Sequence, residues 1–251
     1  MRHVLALMGV AALSLGPSVR PGEAQVVQAV AADANHFVED VTDRAMASLA
    51  ETSISPALRR ERARLVIRDA FAVGDMARFA LGRYWTGASA AQRIEYVSLF
   101  EDFLVASIAA RFKKAGQDGL DLRILSAAAI ESGDGTTLVR TVLYLTPRSA
   151  LPVDWRVVRE GSRYQVTDLI VAGVSLNHRY RAEVTSLVRR DGVPGLLAEL
   201  RQVTAALNDP SPTSDEGRGG SALTGHASPA VGRTLSRALL LALASPLRQA
   251  P

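Results

Sequence analysis

The apolar residues of this chain keep a helical period, switch to strict alternation, and then return to the helical period. From Phe37 to Phe112 they recur at steps of three and four, from Leu120 to Val171 they alternate with polar residues, and from Leu176 to Ala206 the helical spacing resumes. A helix repeats every 3.6 residues and a strand every two, so neither pattern can serve the other structure. Short turn signals cut the alternating stretch: Ser132-Gly133-Asp134-Gly135, Pro147-Arg148-Ser149 and Glu160-Gly161-Ser162. Strands joined by such short spacers pair antiparallel, because parallel neighbours need a long crossover. The expected class is α+β, a small antiparallel sheet with helices before and after it.

The helix boundaries carry their own signals. Phe37, Val41 and Ala45 place a first helix over about residues 29–49. Ser55-Pro56 reads as an N-cap with proline at the first helical position, and Val66, Ile67, Ala70 and Phe71 give that second helix an apolar side. A short third helix is expected from Asp75 to Arg83. Ser89-Ala90-Ala91-Gln92 is a capping box that opens a fourth. Two adjacent rows on it, Phe100, Leu104, Ile108, Phe112 and Tyr96, Leu99, Phe103, Ala106, make a wide apolar face. Such a face suits a core helix between two neighbours or the wall of an apolar cavity, and periodicity does not separate the two. Tyr84-Trp85 are expected to pack a helix end.

Four strands are expected, Leu120–Ile130, Thr137–Leu145, Val153–Arg159 and Tyr164–Val171. In the second, Val139, Thr141 and Leu143 oppose Arg140 and Tyr144; in the third, Val153, Trp155 and Val157 oppose Asp154 and Arg156. One face is thus buried and the other wetter. Two helices close the domain, Leu176–Arg190 and Pro194–Ala206, with Asp191-Gly192 as a glycine C-cap between them.

The ends differ from the middle. Arg2 and His3 precede the apolar run Val4 to Leu15, too short for a bilayer core of ~30 Å. Gly16-Pro17 breaks that run, and Gly22-Glu23-Ala24 offers a small-residue cleavage site, so residues 1–24 read as an export signal cut before Gln25. Asn208 to Pro229 is rich in Pro, Gly and Ser, which makes residues 208–251 a flexible tail. Within it, Val231, Leu235, Leu239 and Ala242 share one face of a short terminal helix. Residues 25–207 remain as one domain.

Composition removes several chemistries. There is no cysteine, hence no disulfide, thiolate metal site or cysteine nucleophile. The net charge of +4 comes from 29 basic and 25 acidic residues scattered along the chain, without the dense basic stripe of a nucleic-acid binder. The four histidines, His3, His36, His178 and His226, have no metal-ligand spacing, and neither a metal nor a cofactor is expected. HExxH, GxSxG, Walker and GxGxxG motifs are absent. Ala172-Gly173-Val174-Ser175-Leu176 lacks the second glycine of a nucleophile turn, so Ser175 reads as an N-cap, and His178 as an exposed residue of the helix that follows. Asp168 reads as a structural hydrogen-bond acceptor or a solvent-facing residue. These absences favour a binder over a catalyst. The competing class is an NTF2-like enzyme on an apolar substrate, which needs Asp168 or Tyr144 deep in its pocket. A third reading is a structural envelope protein docking through its tail.

Two stretches carry a family resemblance. One is MARFALGRYWTGASAAQRIEYVSLFEDFLVASIAARF, Met76 to Phe112; the other, Val153 to Leu200, is VDWRVVREGSRYQVTDLIVAGVSLNHRYRAEVTSLVRRDGVPGLLAEL. Together they resemble the Mla-type, MlaC-like periplasmic phospholipid-shuttle family, also known as toluene-tolerance auxiliary transport proteins, which includes hopanoid-associated members. The resemblance spans about residues 33–203. It departs at Ala172, where glutamate is usual, at Tyr164-Gln165 in place of Trp-Lys, and in the tail after Leu207.

The resemblance implies a small curved NTF2- or cystatin-like sheet wrapped by helices, with a phospholipid's acyl chains in an apolar cavity between them and its headgroup toward solvent. It also implies a soluble periplasmic carrier between an outer-membrane lipoprotein complex and an inner-membrane ABC transporter with a lipid-entry ring. A hopanoid or other apolar lipid is the alternative cargo. The carrier is expected to be monomeric.

Physical chemistry states what such a carrier needs. Two acyl chains hold about 30 methylenes, so exposing them to water costs on the order of 20 kcal/mol at about 0.8 kcal/mol each. The lining must be aliphatic, because an unpaired polar group in a dry pocket costs several kcal/mol. Leu99, Phe103, Leu104 and Ile108 of the fourth helix, and Val139, Leu143, Val153, Trp155 and Val157 of the sheet, are the expected lining. The same residues suit an ordinary filled core. Through the resemblance, Val174 and Leu176 are expected near the pocket mouth. Arg140 and Arg156, on the wetter face, are the candidate contacts to acidic partners or phosphate, and are otherwise solvated arginines.

Overall fold

Among the described residues, six helices and five strands follow one another in the order that the periods require. The structure, a computed structural model, describes residues 21–117, 128–132, 135–146 and 149–209, with side chains over 32–113, 135–142 and 151–209. The helices are α1 (Pro21–Leu49), α2 (Pro56–Ala70), α3 (Val73–Leu81), α4 (Tyr84–Gly87), α5 (Ala90–Gln117) and α6 (Leu176–Asn208). The strands are β1 (Ala128–Ser132), β2 (Thr136–Thr146), β3 (Ser149–Glu160), β4 (Arg163–Val171) and β5 (Val174–Ser175). Residues 1–20 of the expected export signal, the tail beyond Asp209 and the expected strand start at Leu120 lie outside the described residues.

The caps behave as the sequence requires. Ser55 Oγ accepts the Leu58 amide at 3.2 Å, with Pro56 in the first turn of α2. Ser89 and Gln92 cap each other: the Gln92 amide donates to Ser89 Oγ at 3.2 Å and the Ser89 amide to Gln92 Oε1 at 2.9 Å. At Gly192 the backbone takes φ 69° and breaks α6 into two helical segments, at the expected boundary. The guanidinium of buried Arg59 reaches back from α2 to the carbonyls of Leu49 and Glu51, so it closes the end of α1.

Two short elements come from tertiary context instead. The one-turn α4 sits between α3 and α5, where Arg78 and Arg93 lie over the Trp85 ring at 5.9 and 5.6 Å. The two-residue β5 pairs Val174 with Val171.

The sheet runs β1-β2-β3-β4-β5, every neighbour antiparallel. Its register sets Thr137 across from Val157, Val139 from Trp155 and Thr141 from Val153, and all six are buried. The Trp155 indole donates to Thr141 Oγ1 at 3.0 Å, and that hydroxyl donates to the Val153 carbonyl at 2.7 Å, so the buried polar atoms on this face are paired. Between β3 and β4 the partner of Arg156 is Asp168 and that of Val157 is Val166, leaving Thr167 as the extra residue of a bulge.

The helices do not cover the sheet evenly. α1 packs on β1 and β2, while α2, α3 and α6 meet β4. The corner between α2 and α3 is stitched to the sheet, the Ala72 amide donating to the Val166 carbonyl at 3.0 Å. α5 packs mainly on α6, α2 and α3 and meets the described part of the sheet only sparsely. Arg64 and Arg68 hold α2 to α5 through Glu101 at 2.9 and 2.8 Å. The result is an α+β fold with an open antiparallel sheet.

Candidate functional site

The expected lining residues divide by burial. Phe103, Leu104, Val139, Val153, Trp155 and Val157 are buried, and they belong to one apolar cluster that also holds Val38, Ile67 and Leu196. Leu99 and Ile108 are half-buried against that cluster. Leu143 pairs with Leu151 in the sheet, and its side chain lies outside the described ones. The start of α6 buries Leu176, whereas Val174 is 47% exposed on the hairpin before it.

Phe103 belongs to an aromatic group between α5 and α6. Its ring and that of Phe100 meet Tyr180 edge-on, at 5.9 and 5.7 Å. A narrow apolar groove runs beside them, lined by Val184, Leu187, Leu196 and Leu200 and flanked by Glu183 and Glu199. Glu199 is 8% exposed, its Oε1 has no hydrogen-bond partner, and burial raises its pKa above the usual carboxylate range, with Asp191 adding to the effect.

Other apolar residues around the cluster are only partly covered. On the inner sheet face, Leu151, Leu169 and Val171 are half-buried, with Leu169 opposite Trp155 and Val171 opposite Val153. On the C-terminal half of α5, Ile108 and Phe112 are half-buried in the same cluster. The first turns of α6 leave the sheet directly after β5 and touch α5 through Tyr180.

One polar residue on α5 escaped the sequence reading. Arg111 projects from α5 in the row Phe100, Leu104, Ser107, Arg111, whose first three members are buried. Its residue surface is exposed, and desolvation draws its guanidinium down to about 10. The Tyr180 hydroxyl is pushed up to about 12, chiefly by burial, with the charge of Arg111 opposing the shift. A charged residue in phase with a buried helical row was the available signal.

Asp168 resolves as a structural acceptor. One carboxylate oxygen accepts from Ser175 Oγ at 2.6 Å and the other from the Asn177 amide at 3.0 Å, at the positive end of α6. Ser175 Oγ also accepts the His178 amide at 3.1 Å and lies 2.9 Å from His178 Nδ1. A catalytic triad places the histidine between acid and nucleophile. Here the serine stands between acid and histidine with its proton committed to Asp168, an arrangement that caps a helix. His178 is exposed, edge-on to Phe79 at 5.2 Å. Tyr144 has its side chain outside the described ones.

On the outer face Arg140 is exposed and pairs with Asp154 at 4.0 Å, and Arg156 is exposed. Among the described residues no group of acidic and histidine side chains is placed to hold a metal, and no helix is long and apolar enough to cross a membrane.

Comparison with known proteins agrees with this architecture. The sequence profile described as "MlaC protein" matches residues 37–202. A phospholipid-binding protein from Ralstonia solanacearum, solved in complex with a phospholipid, superposes with a TM-score of 0.55 at 19% identity, over 70% of this chain and 98% of that one.

Proposed function

The chain belongs to the MlaC protein family, and from that premise we propose that it is a lipid-binding carrier of the periplasm that takes up phospholipid through its acyl chains. The observation that carries this reading is the set of half-buried apolar residues around one core cluster, Ile108 and Phe112 on α5 and Leu151, Leu169 and Val171 on the inner sheet face. Apolar side chains left half-open on inward faces are a cost in a filled core and a requirement in a lipid binder. The solved Ralstonia protein, alike in fold, carries a phospholipid.

In this reading the half-buried Leu99 and Ile108 touch the lipid directly. Phe103, Leu104, Val139, Leu143, Val153, Trp155 and Val157 form the floor on which its chains rest, with Val174 and Leu176 at the mouth. The carrier domain is residues 25–207, exported by residues 1–24. It works as a monomer, without catalysis or a cofactor, as the soluble component of an ABC-type lipid transport system. There it passes lipid between an outer-membrane lipoprotein complex and the lipid-entry ring of the transporter, through contacts that include Arg140 and Arg156. A hopanoid is the alternative cargo, since the same aliphatic lining accepts it.

The test is uptake from vesicles. The exported protein, incubated with phosphatidylethanolamine vesicles and separated from them, is expected to retain phospholipid. A protein that emerges lipid-free from vesicles of both phospholipid and hopanoid composition contradicts the reading.

A further inference from the structure

Arg59 of α2 is 4% exposed, and its guanidinium, with five donors, uses only two of them on described residues. One terminal nitrogen donates to the Leu49 carbonyl and the other to the Glu51 carbonyl at 2.7 Å. The Nε is buried and has no hydrogen-bond partner. A buried N–H of a charged group without an acceptor is rare in folded proteins and points to a ligand or a water that takes it. Arg59 also lines a cavity of about 110 Å³, room for a few waters or one small ion. Three segments converge there: Thr52 and Ile54 of the loop between α1 and α2, Pro56 in the first turn of α2, and Lys113 on α5.

The charge around this cavity is one-sided. Two cations line it, and no carboxylate does. The carboxylate of Glu51, whose charge reaches Arg59, is already engaged by Arg62 at 3.1 Å and by the Ser53 hydroxyl at 2.7 Å. Lys113 is exposed and makes no ion pair with a described residue. The first turn of α2, a helix of 15 residues, adds the positive end of its dipole.

We propose that the cavity between the α1–α2 loop and α5 is a binding site for one small oxyanion of phosphate type, held by the Arg59 guanidinium and the Lys113 ammonium. A water would satisfy the Nε–H but leave two like charges facing each other in a recess, where an anion offsets both. A tetrahedral oxyanion suits the arrangement better than a planar carboxylate. Its oxygens point in several directions, and the donors come from a guanidinium fork, an ammonium and the Thr52 hydroxyl on three separate segments. The cavity shares no residue with the apolar set assigned to the lipid chains, so the inference does not rest on the carrier reading. Inorganic phosphate and the phosphate of a lipid headgroup present the same chemistry to it.

The experiment is calorimetry on the full chain in low-salt buffer with two probes, inorganic phosphate and glycerophosphoethanolamine, a headgroup without acyl chains. Parent, Lys113→Gln and Arg59→Lys are compared, and a thermal melt reports on folding. The parent is expected to bind at least one probe with one-to-one stoichiometry and to melt higher in its presence. Lys113→Gln, at an exposed position, is expected to weaken binding up to about fivefold, the range of one solvent-accessible ion pair. Arg59→Lys, which keeps the charge without the fork, is expected to weaken it about tenfold.

A parent that binds neither probe overturns the proposal and assigns the cavity to water. Unchanged affinity in either folded variant also overturns it. Should Arg59→Lys fail to fold, Lys113→Gln decides alone. Binding of inorganic phosphate without glycerophosphoethanolamine supports a site for the free ion. Binding of glycerophosphoethanolamine that inorganic phosphate displaces supports a headgroup site.

Discussion

At Glu199 a carboxylate is carried into the groove between α5 and α6 with one oxygen unpaired. Its folded pKa is raised, so the stability it permits is fully present below its unfolded value of about 4.3 and is lost as pH rises through the folded value. Glu199→Gln is therefore expected to raise the melting temperature at pH 7 and to lose that advantage near pH 4. The open groove screens the charge, which limits the gain to about 1 kcal/mol. A second local strain lies in the β4–β5 hairpin. Val171 pairs with Val174, and the two residues between them, Ala172 and Gly173, take φ 50° and 81°. Both central residues of this turn need positive φ, which alanine resists by ~1 kcal/mol or more. Ala172→Gly is expected to stabilise the protein by about 0.5–1 kcal/mol, a rise of a few degrees in a thermal melt; an unchanged or lower melt contradicts the strain.

At the scale of elements, what could be read from the sequence was what local chemistry decides. Ser55, the Ser89–Gln92 pair and Gly192 mark helix ends where the structure has them, because a cap is a contract between residues a turn apart. α4, β5 and the bulge at Thr167 were not legible, since elements this short are held by their neighbours and not by their own propensity. The face of α5 was legible only in part. A strict i+4 row advances about 400° per step, so it drifts ~40° each time and leaves the buried side by Ile108 and Phe112. The row that follows 3.6 residues per turn leads instead to Arg111. This difference predicts unequal mutants. Val157 is 0% exposed, so Val157→Asp is expected to cost upwards of ~3 kcal/mol and unfold the domain. Ile108→Asp, at a half-buried site, is expected to cost about 1–2 kcal/mol, leave a cooperative melt, and lower lipid retention per folded molecule. Retention that merely tracks the folded fraction contradicts a lining role for Ile108.

For the whole molecule, the proposed carrier reading turns on the uneven covering of the sheet. α1, α2, α3 and α6 anchor the sheet, while α5 is tied to the other helices and meets the described part of the sheet only sparsely. Half-buried apolar residues remain on α5 and on the inner sheet face, and in the proposed reading they are where lipid chains rest. α6 ends at Asn208, with the Asp209 amide donating to the Ala205 carbonyl at 3.0 Å, so the helical part of the domain closes before the tail begins. Removal of residues 210–251 is accordingly expected to leave the melt and the lipid retention unchanged; a loss of retention would assign the tail a part in loading. The central claim, enclosure of a lipid, is met most directly by organic extraction of the protein as purified, followed by mass spectrometry. Phospholipid in amounts that follow the protein through every column is the predicted result, and an extract free of phospholipid and of any other apolar lipid contradicts it.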